Sequence, residues 1–185
     1  MGYRHTKDEI LAGALGVAFD DGLSQLTFGR VAKRLAISDR VVVYYFPTKD
    51  DLIGEVLVSI GLQLQHALEP VMASSAEDYL HLLRAVWPTV AQPEADAVFA
   101  LFFEANGLAA SGREPYRTIV PMLVEIWVAW AAQYFSGTKA ERRIEAEAAI
   151  ALLDGLLLLR QLGGPDAGER AARRLGISEA TRRRT

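Results

Sequence analysis

Thr27-Phe28-Gly29-Arg30-Val31-Ala32-Lys33-Arg34-Leu35-Ala36-Ile37-Ser38-Asp39-Arg40-Val41-Val42-Val43-Tyr44-Tyr45-Phe46 carries two short helical patterns with a tight turn between them. Thr27 is placed to cap a helix through Leu35, with Val31, Ala32 and Leu35 facing inward, and Ser38 to cap a second helix from Asp39 to Tyr45. Pro47 blocks continuation. By propensity alone Val41 to Phe46, β-branched and aromatic, reads as a strand. No second strand candidate exists to pair with it, and a lone strand leaves its backbone groups unsatisfied, so the segment is read as helix. Two short helices at this spacing make a helix-turn-helix, in which the first braces and the second enters the major groove of DNA. The small Ala32 lets them cross closely, while Val31, Leu35, Ile37 and Val42 form a miniature core that needs a third helix to cover it.

That cover lies upstream. Thr6 and Glu9 have capping-box spacing, and Ile10, Leu11, Ala14, Leu15, Ala18 and Phe19 fall on one helical face, giving a first helix that stops near Gly22. Downstream, Thr48 with Asp51 repeats the box and opens a longer helix that stops around Pro70. Ser75 with Asp78 predicts a helix to about Trp87, where Pro88 interferes. Pro93 starts another through Asn106 and Gly107, and Pro115 and Thr138 mark further starts. The Thr138 helix runs to Gly163 and Gly164, and Pro165 opens a last one ending near Gly176. Arg182, Arg183 and Arg184 form a solvated tail. The expected fold is all-α: an N-terminal three-helix domain that carries the helix-turn-helix and would bind DNA, residues 1–48, and a C-terminal helical domain, residues 49–185.

With 185 residues and 51% hydrophobic composition, the chain has ample material for a core. The absence of cysteine excludes a disulfide framework and thiolate metal sites and fits a reducing interior, so a cytoplasmic protein is expected. The polar start shows no cleavable signal, and Met1, Gly2 and Thr6 match only a loose myristoylation pattern in which Thr6 is better used as a cap. Two apolar stretches, Ile119 to Phe135 and Ala148 to Leu159, are interrupted by Pro121, Glu125 and Asp154, and no bilayer span is expected. A net charge of -3 does not by itself point to nucleic acid, so that case rests on individual residues.

From Lys7 to Leu52 the sequence resembles the TetR family. The pieces that carry the resemblance are Ile10-Leu11-Ala12, Phe19, Gly22, Thr27, Val31-Ala32, Leu35, Ile37-Ser38, Tyr44, Phe46, Lys49 and Leu52, specific as a set though not singly. The resemblance implies that Thr27 and Lys49 contact backbone phosphates, that the helix after Ser38 lies in the major groove, and that the remaining helices bind a ligand and dimerise. Three residues depart from the family pattern: Ala36 where glycine is usual in the turn, Val43 for a tyrosine whose hydroxyl reaches phosphate, and Tyr45 for a common histidine. If Ala36 is left-handed, alanine there costs about 1 kcal/mol.

Chemistry assigns the other DNA roles. Arg40, near the start of the recognition helix, can make two hydrogen bonds to guanine; a surface arginine paired with Asp39 or Asp50 is the plainer alternative. Tyr44 is next, as a phosphate or base-edge contact. Lysine at a helix N-terminus opposes the helix dipole, so Lys49 is better explained by phosphate than by stability. Arg30, Lys33 and Arg34 either steer DNA or form a solvated face, and Tyr45 and Phe46 belong to the core.

The second half is rich in aromatic residues, among which Phe99, Phe103, Trp127 and Trp130 lie at helical spacing and could line a cavity for a mainly apolar small molecule; ordinary core packing is the plainer reading of each. Glu125 and Asn106 are candidate polar contacts in apolar surroundings. Ala148 to Arg160 is apolar around most of a helix, which burial against a second subunit would explain. A dimer would set two recognition helices about 34–36 Å apart, the spacing of successive major grooves. Allostery would follow if the ligand moved the helix that begins at Thr48. No cofactor or metal is expected: His5, His66 and His81 lack ligand spacing, there is no nucleophile elbow, and the chain is read as no enzyme. The rival reading is an all-helical ligand-binding or protein-interaction module without specific DNA binding, favoured by the acidic pI, Asp39 and Val43.

Overall fold

The computed structural model describes residues 5–72 and 75–178; the arginine tail lies outside them. These residues form α1 (Lys7–Asp21), α2 (Phe28–Leu35), α3 (Asp39–Tyr45), α4 (Lys49–Leu68), α5 (Tyr79–Val90), α6 (Pro93–Ala110), α7 (Tyr116–Ala131), α8 (Lys139–Gly163) and α9 (Pro165–Arg174), with short 3-10 turns at Leu23–Gln25, Glu69–Met72 and Ala132–Tyr134. The described residues form no sheet; a single bridge joins Ala76 and Phe135. The chain divides into two compact units, Met1–Gln63 with Leu101–Met122, and Leu64–Ala100 with Leu123–Thr185.

Local chemistry explains the boundaries in the first unit. Both halves of the Thr6–Glu9 capping box form, and Gly22 ends α1 at φ 90°. Thr27 accepts from the Arg30 N–H and so starts α2. At the head of α4 the Thr48 hydroxyl accepts from the Asp51 N–H while the Asp51 carboxylate accepts from the Thr48 N–H, both at 3.0 Å. Ser38, by contrast, makes no side-chain cap at α3. Val41 to Tyr45 is helical, with Val42 and Phe46 closing into the core beside Ile10, Leu23, Val31 and Leu52. Each large apolar side chain removed from water in this way contributes about 1.5–3 kcal/mol, which is how a short β-prone run is held as helix by packing. Phe19, expected inside, is 38% exposed; Val17 joins Ala18, buried as expected, on the inward side of α1 instead.

Gly13 shows how tightly α1 meets α2. A Cβ built there would lie 2.8 Å from the Leu35 side chain, so only glycine permits this crossing. Ala36 is left-handed, φ 54° and ψ 41°, with its N–H on the carbonyls of Ala32 and Lys33. The alanine therefore does bear the conformational cost anticipated for it.

In the second unit α5 starts later and ends later than expected. Ala76 donates its N–H to the Tyr134 carbonyl at 2.7 Å, which holds the Ser75 region out of the helix, and the Asp78 carboxylate caps α5 through the His81 N–H. Pro88 sits inside the last turn, where it forfeits one hydrogen bond without breaking the helix. The Thr138–Glu141 capping box opens α8, and Pro165 leads α9 as its first residue. Two polar links lock these helices together: the Trp87 indole N–H donates to Glu169 at 3.0 Å, and the Tyr79 N–H donates to Glu145 at 2.8 Å.

Candidate nucleic-acid interface

Arg40 and Tyr44 are one helical turn apart on α3 and share a face. Tyr44 is 79% exposed, its ring edge-on to Tyr45 with centroids 4.9 Å apart. Tyr45 is half-buried, its hydroxyl donating to the His5 carbonyl at 2.8 Å, so it braces α3 rather than pointing to solvent. Arg40 is exposed and forms no ion pair among the described residues, neither with Asp39 nor with Asp50. The Asp39 carboxylate instead lies against Gly29 in the first turn of α2, where the positive end of the helix dipole favours an anion.

Thr27 and Lys49 mark the N-termini of α2 and α4, both exposed, with the Thr27 hydroxyl already engaged by the Arg30 N–H. Lys49 has no acidic partner among the described residues. It lines a cleft of about 130 Å³ with Asp50, Arg113, Glu114 and Tyr116. Two cations and two carboxylates balance there, so the cleft does not by itself make an anion site. The Tyr116 hydroxyl donates to the Leu23 carbonyl at 3.3 Å, and burial pushes its pKa up to about 12.

The basic face of α2 is largely spoken for. Arg30 pairs with Asp21 at 2.7 Å, and Arg34 pairs with Asp20. Lys33 stays exposed. Arg40, Lys33 and Lys49 thus form no ion pair among the described residues. What sequence reasoning missed is the carboxylate of Glu104 on α6, which accepts from the N–H groups of Leu23 and Ser24, both at 2.8 Å. No local pattern announces a pair more than 80 positions apart.

The expected ligand residues fall in different places. Phe99 is buried in the second unit; Trp127 and Trp130 are half-buried there, edge-on with centroids 5.2 Å apart, and Trp130 continues the cluster to Tyr134. Phe103 belongs to the first unit, half-buried beside Phe102. Glu125 is not in apolar surroundings: it is exposed and takes two 2.9 Å hydrogen bonds from Arg143, which hold its carboxyl below the usual range. Asn106 is half-buried on α6.

Residues 10–56, which contain the whole helix-turn-helix, match the family of bacterial regulatory proteins, tetR family. This segment of the chain, about a quarter of its length, is what resembles the TetR family of transcriptional regulators. No curated protein matches the chain. Among solved structures it is similar to a transcriptional regulator from Rhodococcus sp. Rha1, at 21% identity and a TM-score of 0.71 over 94% of both chains. It is also similar to a protein described as a TetR-family transcriptional regulator from Rhodococcus sp., at 17% identity and a TM-score of 0.73, over 96% of this chain and 100% of that one. The multidrug binding protein EbrR complexed with malachite green is a third, at 21% identity and a TM-score of 0.68, over 95% of this chain and 99% of that one. At these identities the likeness is one of fold. A TetR-family regulator binds DNA through its helix-turn-helix, and no described helix is long and apolar enough to cross a membrane.

Proposed function

We propose that this chain is a TetR-family regulator, a cytoplasmic homodimeric repressor released from a palindromic operator by a mainly apolar small molecule. In this reading residues 1–48 bind DNA, and residues 49–185 take the ligand and dimerise. The observation that carries it is the pairing of Arg40 and Tyr44 on the outer face of α3, Tyr44 standing free in solvent and Arg40 without an ionic partner among the described residues. A stable domain gains little from such an arrangement, whereas base edges in a major groove offer the guanidinium two acceptors. Thr27 and Lys49 then hold phosphates at the ends of α2 and α4 and set the register without reading sequence.

Dimerisation is supported by the outer face of α8, where Ile144, Leu158, Leu159 and Leu162 are exposed, Leu162 to 80%. An apolar stripe of this kind is costly to leave in water. The effector reading is supported by the aromatic residues Phe99, Trp127 and Trp130 of the second unit, and by the binding of malachite green to EbrR, a protein of similar fold. A protein-interaction module without DNA activity is the second reading, favoured by the acids that already occupy Arg30 and Arg34.

Selection of random DNA by the purified protein at moderate salt tests the proposal, repeated with Arg40→Ala and Lys49→Ala. Recovery of a palindrome, broadened by the first variant and weakened by the second, supports the repressor. No enrichment, with the same weak binding in all three proteins, makes the interaction module the better reading. Quenching of tryptophan fluorescence by malachite green, compared in Trp127→Phe and Trp130→Phe, tests the effector site.

A further inference from the structure

Leu23 is the residue on which the entry to the helix-turn-helix turns. It follows Gly22, whose φ of 90° only glycine adopts without strain, and it is fully buried. Its N–H and that of Ser24 both point into the Glu104 carboxylate at 2.8 Å, one to each oxygen. Its carbonyl accepts from the buried Tyr116 hydroxyl at 3.3 Å, and also from the Leu26 N–H at 3.1 Å inside the turn. One residue is therefore gripped on both backbone polar groups by side chains of α6 and α7. Thr27, which caps α2 and is proposed to touch phosphate, comes four residues later.

We propose that Glu104 is a positioning residue for operator binding: through the backbone N–H groups of Leu23 and Ser24 it fixes where α2 begins, and with it the placement of α3. This rests on the DNA-binding reading above and adds a role for α6, distinct from movement of α4. Among the described residues no other group accepts from these two N–H groups, which open the 3-10 turn after the positive-φ Gly22 and have no helical carbonyl behind them. A carboxylate is suited to that pair, since charge-assisted hydrogen bonds are the stronger ones.

Electrostatics and positioning predict opposite signs, which makes the proposal sharp. Glu104 is an acid in the unit that would approach a polyanion. If it acted only through charge, its removal would tighten DNA binding. If it positions α2, its removal weakens binding with the same dependence on salt, because no phosphate contact is lost.

The test uses the full-length protein, with Glu104→Ala and Glu104→Gln, on the DNA that the unaltered protein recovers from random sequence. Affinity is measured across a salt series, and amide hydrogen exchange is followed at Leu23, Ser24 and, as a reference, Val31. The expected result is about tenfold weaker binding by the alanine variant, an intermediate loss for glutamine, which keeps one acceptor, and parallel salt dependences. Faster exchange at Leu23 and Ser24, with Val31 unchanged, would accompany it. Binding equal to or tighter than that of the unaltered protein, in either variant, overturns the proposal. If the alanine variant loses cooperative unfolding, the glutamine variant decides. If the unaltered protein recovers no DNA, the DNA-binding reading fails and the positioning role falls with it, while exchange at Leu23 and Ser24 still reports whether Glu104 holds the turn.

Discussion

Arg160 on α8 gives two hydrogen bonds to Asp96 on α6, from Nε at 2.7 Å and from Nη2 at 3.0 Å, and the two side chains differ in exposure, 6% for the arginine and 37% for the aspartate. A buried guanidinium facing a half-open carboxylate depends on its partner, because it has no water of its own to fall back on. Asp96→Ala is expected to cost about 3 kcal/mol in a denaturant titration, the low end for a broken buried pair, since the acid keeps some contact with solvent. Replacing both, Asp96→Leu with Arg160→Met, should cost less than the single change. If the double variant is the less stable of the two, the arginine is not suffering from burial.

Asp154 makes a pH prediction. Burial within α8 pushes its carboxyl up to about 6, from an ordinary 3.8. A folded-state pKa above the unfolded one means that the native state holds the extra proton. The associated stability is complete below about pH 4 and is lost as pH rises through 6. Asp154→Asn should therefore be more stable than the parent at pH 8, by up to about 3 kcal/mol, and equal to it near pH 3.5. Thermal midpoints at the two pH values check this; a constant gap would assign the effect to something other than titration.

Lys49 and Arg40 should separate cleanly by kind of loss. Lys49→Ala is expected to reduce the slope of log affinity against log salt by about one and to weaken all DNA sequences alike. Arg40→Ala should cost about 1–3 kcal/mol on the preferred sequence and relax preference at one position. Binding isotherms at four salt concentrations on matched and mutated sites would show either pattern reversed.

Ala36→Gly relieves a left-handed alanine at the turn between α2 and α3. The relief of about 1–2 kcal/mol is offset by the greater freedom of glycine in the unfolded chain, leaving a net gain of about 0.5–1 kcal/mol. A lower unfolding midpoint for the glycine variant would contradict the strain.

How much of this was legible in the sequence depends on the range of the interaction. The boxes at Thr6 and Thr48 span three positions each and appear where the letters put them, and Thr138 starts its helix as read. The helix-turn-helix was legible because Val31, Ala32 and Val42 repeat at short spacing and are buried. The start of α5 was misplaced because a bridge to Phe135, far along the chain, decides what Ser75 and Ala76 do. Phe19 was misplaced because α1 turns Val17 inward beside Ala18, a rotation that an almost continuously apolar helix does not reveal. Glu125 looked like a lone acid in an apolar run, yet Arg143, which neutralises it, comes from the next helix. The grip of Glu104 on Leu23 could not be read at all, since one partner is a backbone group with no sequence identity.

The acids that hold Arg30 and Arg34 have a consequence for a regulator at work in a cell. Each of those arginines must release an aspartate before it can displace a counterion from duplex DNA, so random chromosome gains little by attracting this protein. A protein weakly retained by bulk DNA is not diluted over the millions of sites that compete with its target.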